Sequence, residues 1–317
     1  MISLDDIEDA RDRIRRKVHV TPMMTASRLG DRAGVQLYLK CENFQKTGSF
    51  KVRGVLNKLA QLDPEARARG VVTVSAGNHA QALAWAARAA GVKATVVMST
   101  VASPTKIEAS RGYGAEVVLH GSTNQEAFAK AHELKEQRGL TFVHPFDDDA
   151  VIAGAGTVAL EMREQAPLPD AVVVPVGGGG LIAGILVALK SQHPRIRVYG
   201  VEPAGAPAMR RSLDEGRAVH LDAVNTIADG LGAPMAGERN YQIVKEFADD
   251  VVLLDDAAIA AATRDLLFSA KVLAEPAGAA ALAAVLSRAI PLRAGERVIA
   301  IVSGGNVDAG KLVSILE

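Results

Sequence analysis

The sequence is poor in the features that assign a chain quickly. Its 317 residues include one cysteine, Cys41, so no internal disulfide can form, which suits a reducing compartment. Cys41 reads most simply as a small apolar strand residue. Charge of either sign is not in excess: Lys+Arg and Asp+Glu are both 36, the formal net charge is zero, and no basic run occurs. That balance points to neither nucleic acid nor an anionic membrane as partner. No apolar run reaches the roughly 18 residues a membrane-spanning helix needs. Asp5, Asp6, Glu8 and Asp9 stand where a signal peptide would carry its apolar core. Internal repeats and low-complexity tracts are missing too. What is left is an ordinary globular composition, 49% hydrophobic and 23% charged, expected in the cytoplasm.

What is present is alternation. An amphipathic helix is predicted over 3–18, capped by Ser3 and stopped by Thr21-Pro22. Strands are predicted at 36–42, 71–75, 94–98, 116–119 and 141–143. Helices follow most of them: one beginning near Val52, one through Ala90, one at 105–111 and one at 123–138. After His144-Pro145-Phe146 come a helix at 150–165, strands at 171–176 and 198–201 with a helix at 181–191 between them, and an irregular connection through 240. A strand at 250–254, helices at 256–270 and 276–287, and a strand at 297–302 end the series. Short Val/Ile-rich runs alternating with helices give an α/β fold, two doubly wound and largely parallel sheets as two lobes with a cleft between. The division expected is a large domain of 1–60 and 149–317, with a small domain, 68–140, inserted in it.

Four stretches carry chemistry. Phe44 through Gly54 places Lys51 between Phe50 and Val52, where a Gly/Ser turn gives way to a helix. Alone, this fits a helix start with a solvated lysine. A lysine held among apolar groups instead loses hydration of its ammonium, its pKa falls, and the amine becomes nucleophilic. Gly177-Gly178-Gly179-Gly180 lies between a strand and the helix beginning Leu181-Ile182. Each glycine costs roughly 0.5–1 kcal/mol of backbone entropy relative to alanine, so four in a row need a reason. A loop wrapping a terminal phosphate with bare N–H groups at a helix N-terminus supplies one, and a tight turn with close helix–sheet packing is the other. Ser75-Ala76-Gly77-Asn78-His79-Ala80-Gln81 is a second strand-to-helix turn. It reads equally as a carboxylate-binding turn, with Asn78 free to donate to a phenolate-type oxygen, or as a helix capped by Ser75 or Asn78. Ser303-Gly304-Gly305-Asn306 follows the last strand, at the sheet edge where open α/β folds bind ligands. By itself it is a common polar turn.

Together, Ser49-Phe50-Lys51, the 75–81 stretch, Gly177–Leu181 and Ser303–Asn306 resemble the pyridoxal-phosphate enzymes of the tryptophan-synthase-β fold type. Within that type they are most similar to the threonine/serine dehydratase and serine racemase group. The resemblance spans nearly the whole chain. It implies pyridoxal 5'-phosphate as cofactor, Lys51 as the catalytic amine that bonds its aldehyde, and Phe50 packed by its ring. It further implies the Gly177, Gly178, Gly179, Gly180 and Leu181 segment on its phosphate, Asn78 on its phenolic oxygen and Ser303 at its ring nitrogen. The substrate carboxylate would sit on the N–H groups around Ser75, Gly77, Asn78 and His79. The implied reaction is β-elimination of L-threonine or L-serine to 2-oxobutyrate or pyruvate plus ammonia.

Departures from the group's pattern choose within it. Serine racemases resemble Ser-Ser-Gly-Asn-His, the second serine working the face opposite the lysine; here that position is Ala76. A racemase-type cation site would use Glu202, the Ala206 carbonyl and a carboxylate at 208, where this chain has Ala208, so no metal is expected. Glu275, before Pro276-Ala277-Gly278, reads as near the cofactor's ring or as a helix-start carboxylate. No appended regulatory domain is expected, and a homodimer or higher homo-oligomer is expected from the resemblance alone. The competing readings are a racemase, a β-replacement synthase, a dehydratase of another hydroxy amino acid such as 3-hydroxyaspartate, or a non-catalytic nucleotide-binding protein.

Overall fold

A computed structural model describes residues 1–317, the side chain of Asn124 excepted. The first part of the chain runs α1 (Leu4–Ile14), β1 (Met23–Thr25), α2 (Ser27–Ala33), β2 (Gln36–Cys41), α3 (Lys51–Ala60) and α4 (Pro64–Arg69). There follow β3 (Val71–Val74), α5 (Asn78–Ala90), β4 (Ala94–Met98), α6 (Pro104–Gly112), β5 (Glu116–Leu119), α7 (Asn124–Arg138) and β6 (Thr141–Phe142). Next come α8 (Asp149–Gln165), β7 (Ala171–Pro175), α9 (Gly180–Lys190), β8 (Arg197–Pro203), α10 (Ala208–Glu215) and α11 (Glu238–Phe247). The chain closes with β9 (Asp250–Leu254), α12 (Asp256–Asp265), α13 (Pro276–Leu286), β10 (Arg297–Val302) and α14 (Ala309–Leu316).

The strands form a six-stranded sheet in the order β1-β2-β10-β7-β8-β9 and a four-stranded sheet in the order β5-β4-β3-β6. Every pairing is parallel except β1 with β2. The alternation of strand and helix therefore yields the two doubly wound lobes expected, since parallel neighbours need a crossover helix. Strands β3, β4 and β7 are buried along their whole length, which is why they read as nearly continuous apolar runs.

Differences from the sequence reading fall where tertiary contacts decide. The first helix stops at Ile14 rather than 18. The stretch read as irregular through 240 holds α10, the 3-10 turn Asp229–Leu231 and the start of α11. Helix α10 is capped from the end of the strand that precedes it: both oxygens of Glu202 on β8 accept backbone N–H groups, from Met209 and from Arg210, each at 2.8 Å. The helix read over 256–270 changes to a π turn at Leu266–Ala270.

Helix α8 packs between α3 and α9, and at both crossings the backbones touch. A methyl on Gly154 would stand 2.6 Å from the Arg53 carbonyl oxygen and from Gly54 Cα, and one on Gly184 would stand 2.5 Å from Gly156 N. Beside the first crossing lies a buried ionic cluster. Arg53 donates through Nε and Nη2 to the two oxygens of Glu42 at 2.7 and 2.8 Å, and through Nη1 and Nη2 to those of Glu161 at 2.6 and 2.9 Å. Lys40 Nζ joins at 2.6 Å from Glu161 and 2.8 Å from the Thr21 carbonyl. Burial pushes the Glu161 carboxyl upward, but the hydrogen bonds and charges of Arg53 and Lys40 outweigh it and hold it below its ordinary range. Its contribution to stability is therefore present above the unfolded carboxyl's pKa of about 4.3 and fades as pH falls through the lower folded value. Glu42→Ala leaves the Arg53 charge buried with half its partners. The expected loss is about 3–5 kcal/mol of folding stability, read from the urea midpoint, whereas a loss under about 1 kcal/mol would mean that the cluster is hydrated.

Candidate active site

The turn before Lys51 is shaped by residues that a sequence window treats separately. Thr47 and Gly48 both have left-handed backbone (φ 62 and 73). Asn306 holds that turn, donating from Nδ2 to the Thr47 carbonyl at 2.7 Å, and a side chain on Gly48 would run into the same asparagine. The Gly305 N–H donates to the Gly48 carbonyl at 2.9 Å and the Phe50 N–H to that of Ser303 at 3.1 Å. The Ser303–Asn306 turn is thereby stitched to the segment that starts α3. Two motifs far apart in sequence are one structure.

Lys51 is the first residue of α3. Its Nζ donates to the Pro145 carbonyl at 2.8 Å and stands 5.1 Å from the centroid of the Phe50 ring. Loss of hydration brings its pKa down to about 8, with the Glu275 carboxylate pulling the other way. The solvated-lysine alternative is thus set aside. Next to Pro145, the Phe146 ring lies where a side chain on Gly178 would be, and a methyl on Gly180 would stand 2.8 Å from the Phe146 carbonyl oxygen. The 145–146 pair therefore links the lysine to the glycine loop.

Both readings of that loop apply. Close packing excludes side chains: a methyl on Gly177 would meet Leu231 Cα at 3.2 Å, and Gly179 has φ 94. Yet among the described residues no protein group accepts from the N–H of any residue from Gly177 through Ile182. Helix α9 starts at Gly180 with no side-chain cap, so these donors and the positive end of its dipole are left together. Leu181 contributes its N–H only, because its side chain is in the core. Asn240, on a helix that the sequence reading missed, fixes the loop by donating from Nδ2 to the carbonyls of Gly178 at 2.8 Å and Phe146 at 3.0 Å.

From the small lobe, α5 presents a second bare helix start. Neither Ser75 nor Asn78 caps it; the N-cap is Gly77, without a side-chain bond. The donors there differ from those expected. The Ser75 N–H is used by the Val97 carbonyl and the Gly77 N–H by Ser75 Oγ at 3.1 Å, so Ala76, Asn78, His79 and Ala80 are the residues whose N–H groups have no protein acceptor among the described residues. The His79 ring is buried against the Val143 carbonyl; burial drives its pKa down to about 3 and keeps it neutral.

Asn78, Glu275 and Asn306 meet at the cleft. Asn78 Nδ2 donates to Glu275 Oε1 at 2.5 Å, and Asn306 Nδ2 donates to Asn78 Oδ1 at 2.8 Å. Burial raises the Glu275 carboxyl to about 7, against the lowering effect of the Asn78 bond. Glu275 is the N-cap residue of α13, without a side-chain cap bond, and its carboxyl is turned to Asn78 in the cleft. A side chain on Gly304 would collide with Glu275, which explains that glycine. Ser303 follows β10 and is buried, its Oγ 3.4 Å from the Ala277 carbonyl. Asn306 and Asn240 were missed as site residues. Asn306 closes a motif that the sequence shows, whereas nothing local marks Asn240.

Two other residues are placed outside the chemistry. Glu202 is fully buried and spent on capping α10, its pKa raised to about 8 by burial. Cys41 is buried too, its thiol pushed up to about 12 by burial.

The bare donors at α9 fit a phosphate and the neighbouring desolvated amine fits its aldehyde partner, so the residues present suit pyridoxal phosphate. Comparisons agree. The family model described as pyridoxal-phosphate dependent enzyme matches residues 14–304. An L-threonine ammonia-lyase of Thermotoga maritima is 45% identical over 317 residues, all of this chain and 79% of that one. The structure of a threonine deaminase from T.th. superposes with a TM-score of 0.91 at 43% identity, covering 97% of this chain and 99% of that one. Maize serine racemase gives 0.94 at 38%, covering 99% and 96%.

The coupling between Lys51 and Glu275 can be read directly. In the full chain without cofactor, amine-directed labelling of Lys51, followed by mass spectrometry, should titrate near pH 8. Because the Glu275 carboxylate favours the charged amine, Glu275→Gln should move that midpoint lower; an unmoved midpoint would show that the two do not interact.

Proposed function

The chain belongs to the pyridoxal-phosphate dependent enzymes, and from that premise we propose that it is a threonine/serine dehydratase. It converts L-threonine to 2-oxobutyrate, or L-serine to pyruvate, with release of ammonia. The observation that carries the reading is one desolvated amine, Lys51, joined through Pro145 and Phe146 to a loop of uncommitted N–H groups, with a second uncapped helix start across the cleft. The relative from Thermotoga maritima bears the name of this activity.

Bound at this site, pyridoxal phosphate supplies an electron sink for the pair left behind when an α-proton departs from an amino acid joined to it. The N–H groups of Gly177 through Leu181 would hold its phosphate without any cation, Phe50 would lie by its ring, Asn78 would donate to its phenolic oxygen, and Ser303 would serve its ring nitrogen. A hydroxyl at 303 does not enforce a proton on that nitrogen as a carboxylate would, which favours prompt loss of a β-leaving group over transamination. The donors at Ala76, Asn78 and His79 receive the substrate carboxylate at the positive end of α5. Lys51 Nζ, with a pKa brought toward neutrality by burial, takes the proton from Cα.

The fold neighbours include a serine racemase, so racemisation is the second reading. It requires a proton carrier on each face of Cα. Ala76, where racemases of the group have serine, packs its methyl against the small-lobe core and carries no transferable proton. Elimination needs a proton carrier on one face only, which Lys51 provides; the α-proton it takes balances the one the departing β-hydroxyl needs to leave as water.

We assign the chain a large domain of 1–60 with 149–317 and a small domain of 68–140; the four-stranded sheet supports the second, although its strand β6, Thr141–Phe142, lies just past that boundary. No described helix is long and apolar enough to cross a membrane. A cytoplasmic homodimer, or higher homo-oligomer, is the assembly we propose for it.

Purified enzyme should be yellow and should form 2-oxo acid from L-threonine and L-serine. Lys51→Ala should abolish covalent fixation of the cofactor to the chain by borohydride and lower kcat by about 10²–10⁴-fold or more; an active Lys51→Ala variant would refute the assignment. Ala76→Ser should raise the ratio of D-serine to pyruvate formed from L-serine. An unchanged ratio would remove position 76 from the choice between the two outcomes.

A further inference from the structure

The proposed chemistry needs two parts carried by different helices. Lys51 opens α3, and the uncommitted N–H groups precede and open α9. A cofactor bonded at one end and held by its phosphate at the other must span the distance between them, so that distance is a quantity the fold has to set. Helix α8 lies between α3 and α9, and its contact with each leaves no slack.

At the α3 crossing, a methyl on Gly54 would stand 2.6 Å from the Val151 carbonyl oxygen, as one on Gly154 would from Gly54 Cα. At the α9 crossing, a methyl on Gly184 would stand 2.5 Å from Gly156 N and from the Ile152 carbonyl oxygen, and one on Gly156 would stand 2.8 Å from the Gly184 carbonyl oxygen. Backbone on backbone cannot be compressed, and at each of these four glycines the nearest atom is main chain, with only the Val151 and Ile7 side chains close behind, each at 2.9 Å. Axial slip at the first crossing is opposed by Arg53, whose fork grips both Glu161 oxygens on α8 and both Glu42 oxygens after β2. Arg53 is two residues after Lys51, roughly 200° around the helix, so it holds the rear of the turn whose front carries the amine. With Lys40 the cluster is neutral, two cations and two carboxylates, all buried or nearly so. Buried ion pairs of this kind add little net stability over apolar packing and are better at specifying geometry. The segment leading into α8 also supplies the Pro145 carbonyl to Lys51 and the Phe146 ring to the glycine loop.

We propose that α8 is a spacer that sets the separation of the Lys51 amine from the phosphate loop, with Gly54, Gly154, Gly156 and Gly184 as its contact points and Arg53–Glu161 as its lock. These are positioning residues; none reaches the reacting atoms. The inference rests on reading this site as a pyridoxal-phosphate site. Misplacement of a reacting group by about 1 Å can cost on the order of a hundredfold, so a spacer displaced by a fraction of that distance has a measurable effect.

The test compares two ligands on the full chain freed of cofactor. Pyridoxal phosphate engages both the amine and the phosphate loop. Pyridoxine phosphate, with a hydroxymethyl group in place of the aldehyde, engages the loop and the ring pocket but cannot bond Lys51. In Gly184→Ala and in Arg53→Lys, pyridoxal phosphate should weaken by about tenfold or more relative to pyridoxine phosphate, because only the first must satisfy both ends. General loosening of the fold would weaken the two ligands in parallel. A parallel loss, or no change in the ratio, in variants with a cooperative thermal transition overturns the spacer. If Gly184→Ala does not fold, Arg53→Lys and Glu161→Gln decide the matter alone. Wild-type protein that binds neither ligand would overturn the cofactor reading itself, and so is distinguishable from failure of the spacer.

Discussion

Backbone-to-backbone contact among α3, α8 and α9 is the constraint from which the rest of the large lobe follows. Glycines at the two crossings bring the helix axes closer than any side chain would permit. That closeness fixes where α3 and α9 begin, and both chemical elements of the site are beginnings of helices. The nature of the side chain matters at one of them and its absence at the other. An amine stripped of water, with the Pro145 carbonyl as its acceptor, and a run of N–H groups without protein acceptors are complementary devices.

Electrostatics at the cleft is built from burial more than from charge pairing. Lys51 is displaced downward and Glu275 upward, in both cases chiefly through loss of hydration. His79 is driven so far down that it is a neutral structural ring. The Gly177–Gly180 loop has no lysine or arginine within it, and the start of α5 presents bare backbone donors. The ionic residues Lys40, Glu42, Arg53 and Glu161 are buried behind α3, where they hold geometry instead of meeting ligand.

Much of this was legible in the sequence for physical reasons. Fully buried parallel strands must be nearly continuous apolar runs, so β3, β4, β7 and β10 announced themselves. Consecutive glycines are costly and demand a cause, so Gly177–Gly180 did too, although the two causes that read as alternatives there operate together. What stayed hidden was whatever is decided by partners distant in the chain. The glycine loop is oriented by Asn240 on α11, and the turn before Lys51 is held by Asn306. Around Ser75 the donors shifted by a residue because Ser75 Oγ and the Val97 carbonyl had already claimed two of them, a competition that only packing reveals.

The lone sulfhydryl has a practical side. Cys41 ends β2 inside the core, beside Val302 of β10, with its Sγ turned to the Leu39 carbonyl and its ionisation suppressed. Maleimides and mild oxidants act on thiolates they can reach, and here they find none. Spectroscopic tags attached at introduced surface cysteines on either lobe would therefore report against a silent background, without first engineering the native sulfur away.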